Sequence, residues 1–184
     1  MTLRDEDELK FAGLTNGSQK DEIFIATRNG ISIRFCEEDV RVMGRTAAGV
    51  KGITLRDKDY VVAAVIIDPD KISEKLSVMT ITEEGYGKRT ALSEYKVQSR
   101  GGKGIINLKI NEKTGKIVDV KIVDDKTEIM LITSEGTLIR TKVDTVSVIG
   151  RSTSGVRIMK VRNEEKVASA VKIAENPEEE KELS

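Results

Sequence analysis

The chain has no histidine, no tryptophan and one cysteine, and aromatics make up only 3% of its 184 residues. Without histidine, the usual zinc ligand sets and every Ser-His or Cys-His nucleophile pair are excluded. Cys36 cannot close an intramolecular disulfide, and in IRFCEED its neighbouring acids oppose a thiolate, so an inert structural thiol is expected. The scarcity of aromatics argues against stacking platforms for single-stranded nucleic acid. Tyr86 and Tyr95 are expected to be packing residues, since neither has a base or a metal-binding carboxylate cluster at hand. No apolar run approaches the roughly 20 residues of a membrane-crossing helix. The start MTLRDEDELK carries no basic stretch leading into an apolar one, so a soluble, cytosolic chain with no membrane partner is expected.

What is abundant is charge, and it is segregated. The 31 basic and 31 acidic residues balance, yet residues 1–22 carry a net −3 and residues 174–184 a net −4, leaving +7 on the body between them. A basic body predicts a polyanionic partner, and an acidic tail predicts a segment that competes for the same surface.

The apolar 38% is dominated by Val and Ile in short runs, and these runs repeat. IFIATRNGISIRF, VMTITEEGYGKRT and IMLITSEGTLIRT superimpose on Gly30, Gly85 and Gly136, which lie 55 and 51 residues apart. Four positions after each glycine stands an arginine (Arg34, Arg89, Arg140), and fifteen after it another (Arg45, Arg100, Arg151). A glycine closes each set at nineteen (Gly49, Gly104, Gly155). A further strand ends each unit: DYVVAAVII from Asp59, GKIVDVKIV from Gly115, EKVASAVKI from Glu165. The repeats are 22–67, 76–123 and 128–173, and TLRDEDELKFAGL marks residues 1–17 as the end of a truncated fourth. Each unit reads as four strands, including a third such as GVRIMKV from Gly155, with helix needed only as a turn near Leu92 to Tyr95. Asn29-Gly30 predicts a two-residue hairpin turn, and Glu84-Gly85 and Glu135-Gly136 the same turn with weaker chemistry. Four strands in about 50 residues match the blade of a radial all-β array.

The loops RTAAG, RGGKG and RSTSG combine a bidentate donor with small residues that let backbone amides approach phosphate oxygens. Ranged around an axis, such loops form a curved positive track suited to bent duplex DNA, held by its backbone since no recognition helix is evident. The candidate DNA contacts are Arg34, Arg45, Lys51, Lys88, Arg89, Lys96, Arg100, Lys103, Arg140, Lys142, Arg151 and Arg157. On Arg34, Arg89 and Arg140 taken singly, the plainer reading is an outward charge that keeps a strand edge soluble. A protein-interaction propeller is the alternative from another functional class.

YGKRTALSEYKVQSRGGKGIINLK, EIMLITSEGTLIR and VSVIGRSTSGVRI resemble the C-terminal domain family of DNA gyrase A over nearly the whole chain. The resemblance implies a β-pinwheel of propeller-like, four-stranded blades that exchange strands with their neighbours, here an open arc of about three complete blades and part of a fourth. It also implies a module that wraps duplex DNA around a basic edge to direct negative supercoiling, cuts nothing itself, and works with the rest of gyrase A and with gyrase B in the bacterial cytoplasm and nucleoid. No cofactor is expected in this chain; ATP and Mg belong to other parts of that assembly. The family's box loop falls on Gln98, Ser99, Arg100, Gly101, Gly102, Lys103 and Gly104, with Ser99 where the box is basic. The resemblance places the full box in a first blade that this chain lacks. The related topoisomerase IV domain stays open as an alternative. The tail has two readings, a solubilising disordered charge or an autoinhibitory mimic of DNA. An open arc exposes strand edges, so a concentration-dependent dimer is expected.

Overall fold

The computed structural model describes residues 2–3, 7–162 and 164–173. The acidic tail, and Arg4, Asp5 and Glu6 at the start, lie outside the described residues. The apolar runs form the hairpins expected of them: β1 (Glu22–Thr27) with β2 (Ile31–Cys36), β4 (Ser77–Thr82) with β5 (Tyr86–Ala91), and β8 (Glu128–Thr133) with β9 (Leu138–Lys142). The turns differ from the expectation. Each is a three-residue loop, Arg28-Asn29-Gly30 in the first, closed by the glycine N–H donating to the carbonyl of Thr27, Thr82 or Thr133. Gly30, Gly85 and Gly136 sit at φ +89°, +74° and +83°, and their predecessors do not share that region. One left-handed residue suffices in such a loop, so Glu84 and Glu135 serve as well as Asn29.

The strands closing the repeats are β3 (Val61–Ile67), β7 (Ile117–Val123) and β11 (Val167–Ile173), each antiparallel to the first strand of its hairpin. Each of these pairings carries a register shift near the hairpin end, and such bulges bend a strand. The third strand does not stay in its own unit. β6 (Ile105–Ile106) pairs with β2 of the first repeat, and β10 (Val156–Arg157) with β5 of the second. The sheets therefore run β3-β1-β2-β6, β7-β4-β5-β10 and β11-β8-β9. The third sheet has three strands, the equivalent stretch from Gly49 forms none, and residues 7–20 add none, so the described structure is two four-stranded sheets and one three-stranded sheet.

Alternation of side chains welds the sheets face to face. Val78 on β4 joins Phe24, Ala63, Leu92, Tyr95 and Val120 between the first and second sheets. Its neighbours Met79 and Ile81 join Ile129, Leu131, Val143 and Met159 between the second and third. All six positions of β4 are consequently buried. Each such aliphatic side chain contributes about 1.5 to 3 kcal/mol on burial. β3, β7 and β11 lie at the inner end of each sheet, while β6 and β10, with the glycine-rich loops just before them, lie at the outer end.

Candidate nucleic-acid interface

The outer loops are built on the preceding repeat. In the second, Gln98 N–H donates to the Arg34 carbonyl (2.8 Å), Gly101 N–H to Gly52 (2.8 Å), and Thr54 N–H returns a bond to Gly102 (2.8 Å). Gly104, at φ +68°, lies so close to β2 that a Cβ would stand 2.5 Å from the Ser32 carbonyl oxygen. Gly155 repeats this against Gly87 at 2.6 Å, whereas Gly49 keeps φ +81° with open space around it. The third loop continues the line: Lys109 N–H donates to the Thr153 carbonyl (3.0 Å) and the Asn111 amide to Ser154 Oγ (3.0 Å). Segments 43–54, 98–111 and 149–157 thus abut in sequence along the outer border.

Two of the loop arginines, Arg100 and Arg151, are held by carbonyls, not by carboxylates. Arg100 Nε donates to the Asp39 carbonyl (3.1 Å) and Nη1 to the Lys51 carbonyl, and Arg151 Nη1 donates to the Ile106 carbonyl (2.8 Å). Lys51 and Ile106 both stand twenty-one residues after a hairpin glycine, so the two contacts are one contact repeated. The nearby acids act on backbone: Glu94 accepts the Arg151 amide (3.2 Å), and Asp39, its equivalent, faces the Arg100 amide at 3.4 Å. The guanidinium groups keep their positive charge unneutralised at a half-buried surface. Arg45, Lys51, Lys96 and Lys103 are exposed, and none forms an ion pair among the described residues. Arg41 is an exposed cation at the position of Lys96, eleven after the hairpin glycine; the repeat alignment contains that signal, although the candidate contacts omit it.

Three candidates are not at the surface. Arg34 is 8% exposed, ion-paired to Glu22, with Nη1 donating to the carbonyls of Leu92 (3.1 Å) and Tyr95 (3.0 Å). Arg89 is 6% exposed, donates from Nε to the Val146 carbonyl (2.8 Å) and pairs with Asp125. Each arginine fastens its own sheet to the turn of the next repeat. Lys88 is fully buried, and its Nζ donates to Gly150 (2.8 Å), Arg151 and Thr153 under the third loop. Burial lowers the Lys88 pKa to about 8. The seating of each repeat on the one before explains all three: the turn after β5 covers Arg34, the segment after β9 covers Arg89, and the loop before β10 covers Lys88. The reading of Arg34 and Arg89 as outward solubilising charge fails for the same reason. Arg140, at the same position of the third sheet, pairs with Glu128 yet leaves 59% of its side chain exposed. Lys142 and Arg157 are exposed, the latter over the Tyr86 ring. Tyr95 packs edge-on to Phe24, its hydroxyl donating to Asn107 Oδ1 (2.6 Å), and burial pushes its phenol pKa up. No helix among the described residues is long and apolar enough to cross a membrane.

The family model described as DNA gyrase C-terminal domain, beta-propeller, matches residues 21–68, 77–124 and 127–174. The chain is 42% identical over 180 residues to the DNA gyrase A protein of Salmonella typhimurium, covering 98% of this chain and 20% of that protein. It is 47% identical over 159 residues to its Lawsonia intracellularis counterpart, covering 86% and 19%. The chain thus spans about a fifth of the length of these curated relatives. A solved DNA gyrase A C-terminal domain superimposes with TM-score 0.76 at 26% identity, covering 85% of this chain and 52% of that one. A solved C-terminal domain of DNA topoisomerase IV does so with TM-score 0.77 at 27% identity, covering 84% and 47%.

Proposed function

Because the chain belongs to the DNA gyrase C-terminal domain family, we propose that it is a non-catalytic module that grips duplex DNA by its phosphates along the outer border and bends it. The observation that carries this is the succession of loops, each seated on the one before, with Arg45, Arg100 and Arg151 at equivalent positions and the exposed Lys51, Lys96 and Lys103 among them. Smooth bending of 20 to 30 base pairs by 40 to 90° costs on the order of 1 to 6 kcal/mol, which several phosphate contacts with counterion release offset. Within gyrase A, working with the ATP-hydrolysing gyrase B in the bacterial cytoplasm, such a bend presents the next duplex in a crossing of fixed hand and so directs negative supercoiling. This chain supplies the grip; cleavage, ATP and Mg belong elsewhere in that type II topoisomerase.

The test is the salt dependence of duplex binding, whose log–log slope is about −0.9 for each phosphate neutralised. A steep slope that becomes shallower by about one for each border cation removed supports the reading. Binding indifferent to salt would instead favour a protein-interaction module. The equal likeness to the topoisomerase IV domain supports a second assignment with the same grip. Supercoiling by an assembly reconstituted with this chain would separate the two.

A further inference from the structure

A second concentration of positive charge lies at the hairpin end of the second sheet, where it shares Arg157 with the end of the border. A cleft of about 350 Å³ there is lined by Tyr86, Lys113, Arg157, Lys160 and Arg162. Tyr86 is the floor. The residue is only 7% exposed, and its ring carries the Lys113 ammonium 5.5 Å and the Arg157 guanidinium 5.3 Å from the centroid. Arg157 Nη2 also donates to the Tyr86 hydroxyl (2.9 Å), which fixes the guanidinium and leaves its other donors free. With cations over its face, Tyr86 orients charge and does not stack a base.

None of the four cations forms an ion pair among the described residues. Two carboxylates line the same cleft: Glu84 is engaged by Lys166 at 3.1 Å, and Glu164 is exposed and makes no ion pair with the four. The four cations outnumber the one carboxylate left unpaired beside them, and an anion between them relieves the repulsion that remains. Nor is the arrangement a by-product of the repeat. One repeat earlier, the positions of Arg157, Lys160 and Arg162 hold Ile106, Lys109 and Asn111, and that of Tyr86 holds Ile31.

We propose that this cleft is a phosphate-binding site, with Arg157 clamping one phosphate group and Lys113, Lys160 and Arg162 neutralising it. The phosphate belongs either to a nucleic-acid backbone leaving the border by way of β10 or to a free phosphorylated small molecule. The site stands whether or not the border holds DNA.

The test is titration of the 184-residue chain with pyrophosphate, followed by amide chemical shifts. Saturable shifts confined to Tyr86, Lys113, Arg157 and Arg162 are expected, with affinity roughly tenfold weaker in Arg157→Gln and unchanged in Lys103→Gln. Lys160→Gln, at an exposed position, gives the same direction of change should Arg157→Gln disturb the sheet. Adding a short duplex separates the sources: displacement of pyrophosphate identifies the backbone, and joint occupancy the free anion. No shift, a non-saturating shift spread over cleft and border alike, or unchanged affinity in both cleft variants would overturn the site.

Discussion

At the scale of single residues, the fold divides the basic side chains by the company they keep. Arg34 and Lys103 carry the same charge, yet one is spent on a carboxylate and two carbonyls inside the molecule and the other faces solvent. Arg34→Met is expected to lower stability by about 3 to 5 kcal/mol, since it strands Glu22 in a nearly buried pair, with no change in the salt slope of duplex binding. Urea unfolding and binding measured together check both halves. Lys103→Ala combined with Arg100→Ala should weaken the duplex complex while lowering the urea midpoint less than Arg34→Met does, because Arg100 loses two carbonyl bonds but strands no buried carboxylate. Unchanged affinity at low salt would remove these two from the contact set. Lys88 adds a pH signature. Its pKa is about 8 in the fold against 10.5 in the free side chain, so between those values the unfolded chain binds more protons. Stability therefore rises as pH climbs from about 8 to 10.5, and Lys88→Met should flatten the rise. In the sequence, Lys88 and the arginines at the fourth position carry no mark of burial, because burial is decided by which turn or loop of the next repeat lies over them.

At the scale of elements, spacing carries most of the information. Hairpins, closing strands and the turn at Leu92–Glu94 fall where Val/Ile runs and glycines place them. Two features are not legible from the residues. A two-residue stretch such as Ile105–Ile106 has no periodicity of its own, so its pairing with the previous repeat comes only through resemblance to a strand-exchanging family. The turn length is ambiguous because Asn29-Gly30 satisfies two turn types, and only the backbone shows that a single residue is left-handed. The exchanged strand makes its own prediction. Gly104→Ala forces a Cβ to 2.5 Å from a backbone oxygen at positive φ, whereas Gly49→Ala meets the same φ region in open space. The first should lose clearly more stability than the second, which should cost on the order of 1 kcal/mol for backbone strain alone. Equal losses in thermal unfolding would mean that loop and neighbouring strand are not in close contact.

At the scale of the whole molecule, charge and topology meet. Strand exchange sends the second and third basic loops onto the repeats before them, so the loops share one border, and the overall neutrality of the chain conceals a basic body between acidic ends. The border is legible as a repeat of arginines; which cations remain free on it is not, since that depends on carbonyls and acids brought in from adjacent units. The outer side of β9 is unpaired among the described residues, with Arg140 and Lys142 along it. Such an edge is expected to give a weak dimer at high concentration; sedimentation showing a strict monomer there would remove that expectation.

The central claim is that the border holds a curved duplex by its charge, and energy transfer between dyes at the two ends of a duplex of about 30 base pairs tests it most directly. Binding at low salt should draw the ends together, and the approach should vanish when Arg45, Arg100 and Lys103 are replaced by alanine in a chain that still folds. A duplex that binds and stays straight, or bends equally with the triple variant, would contradict it.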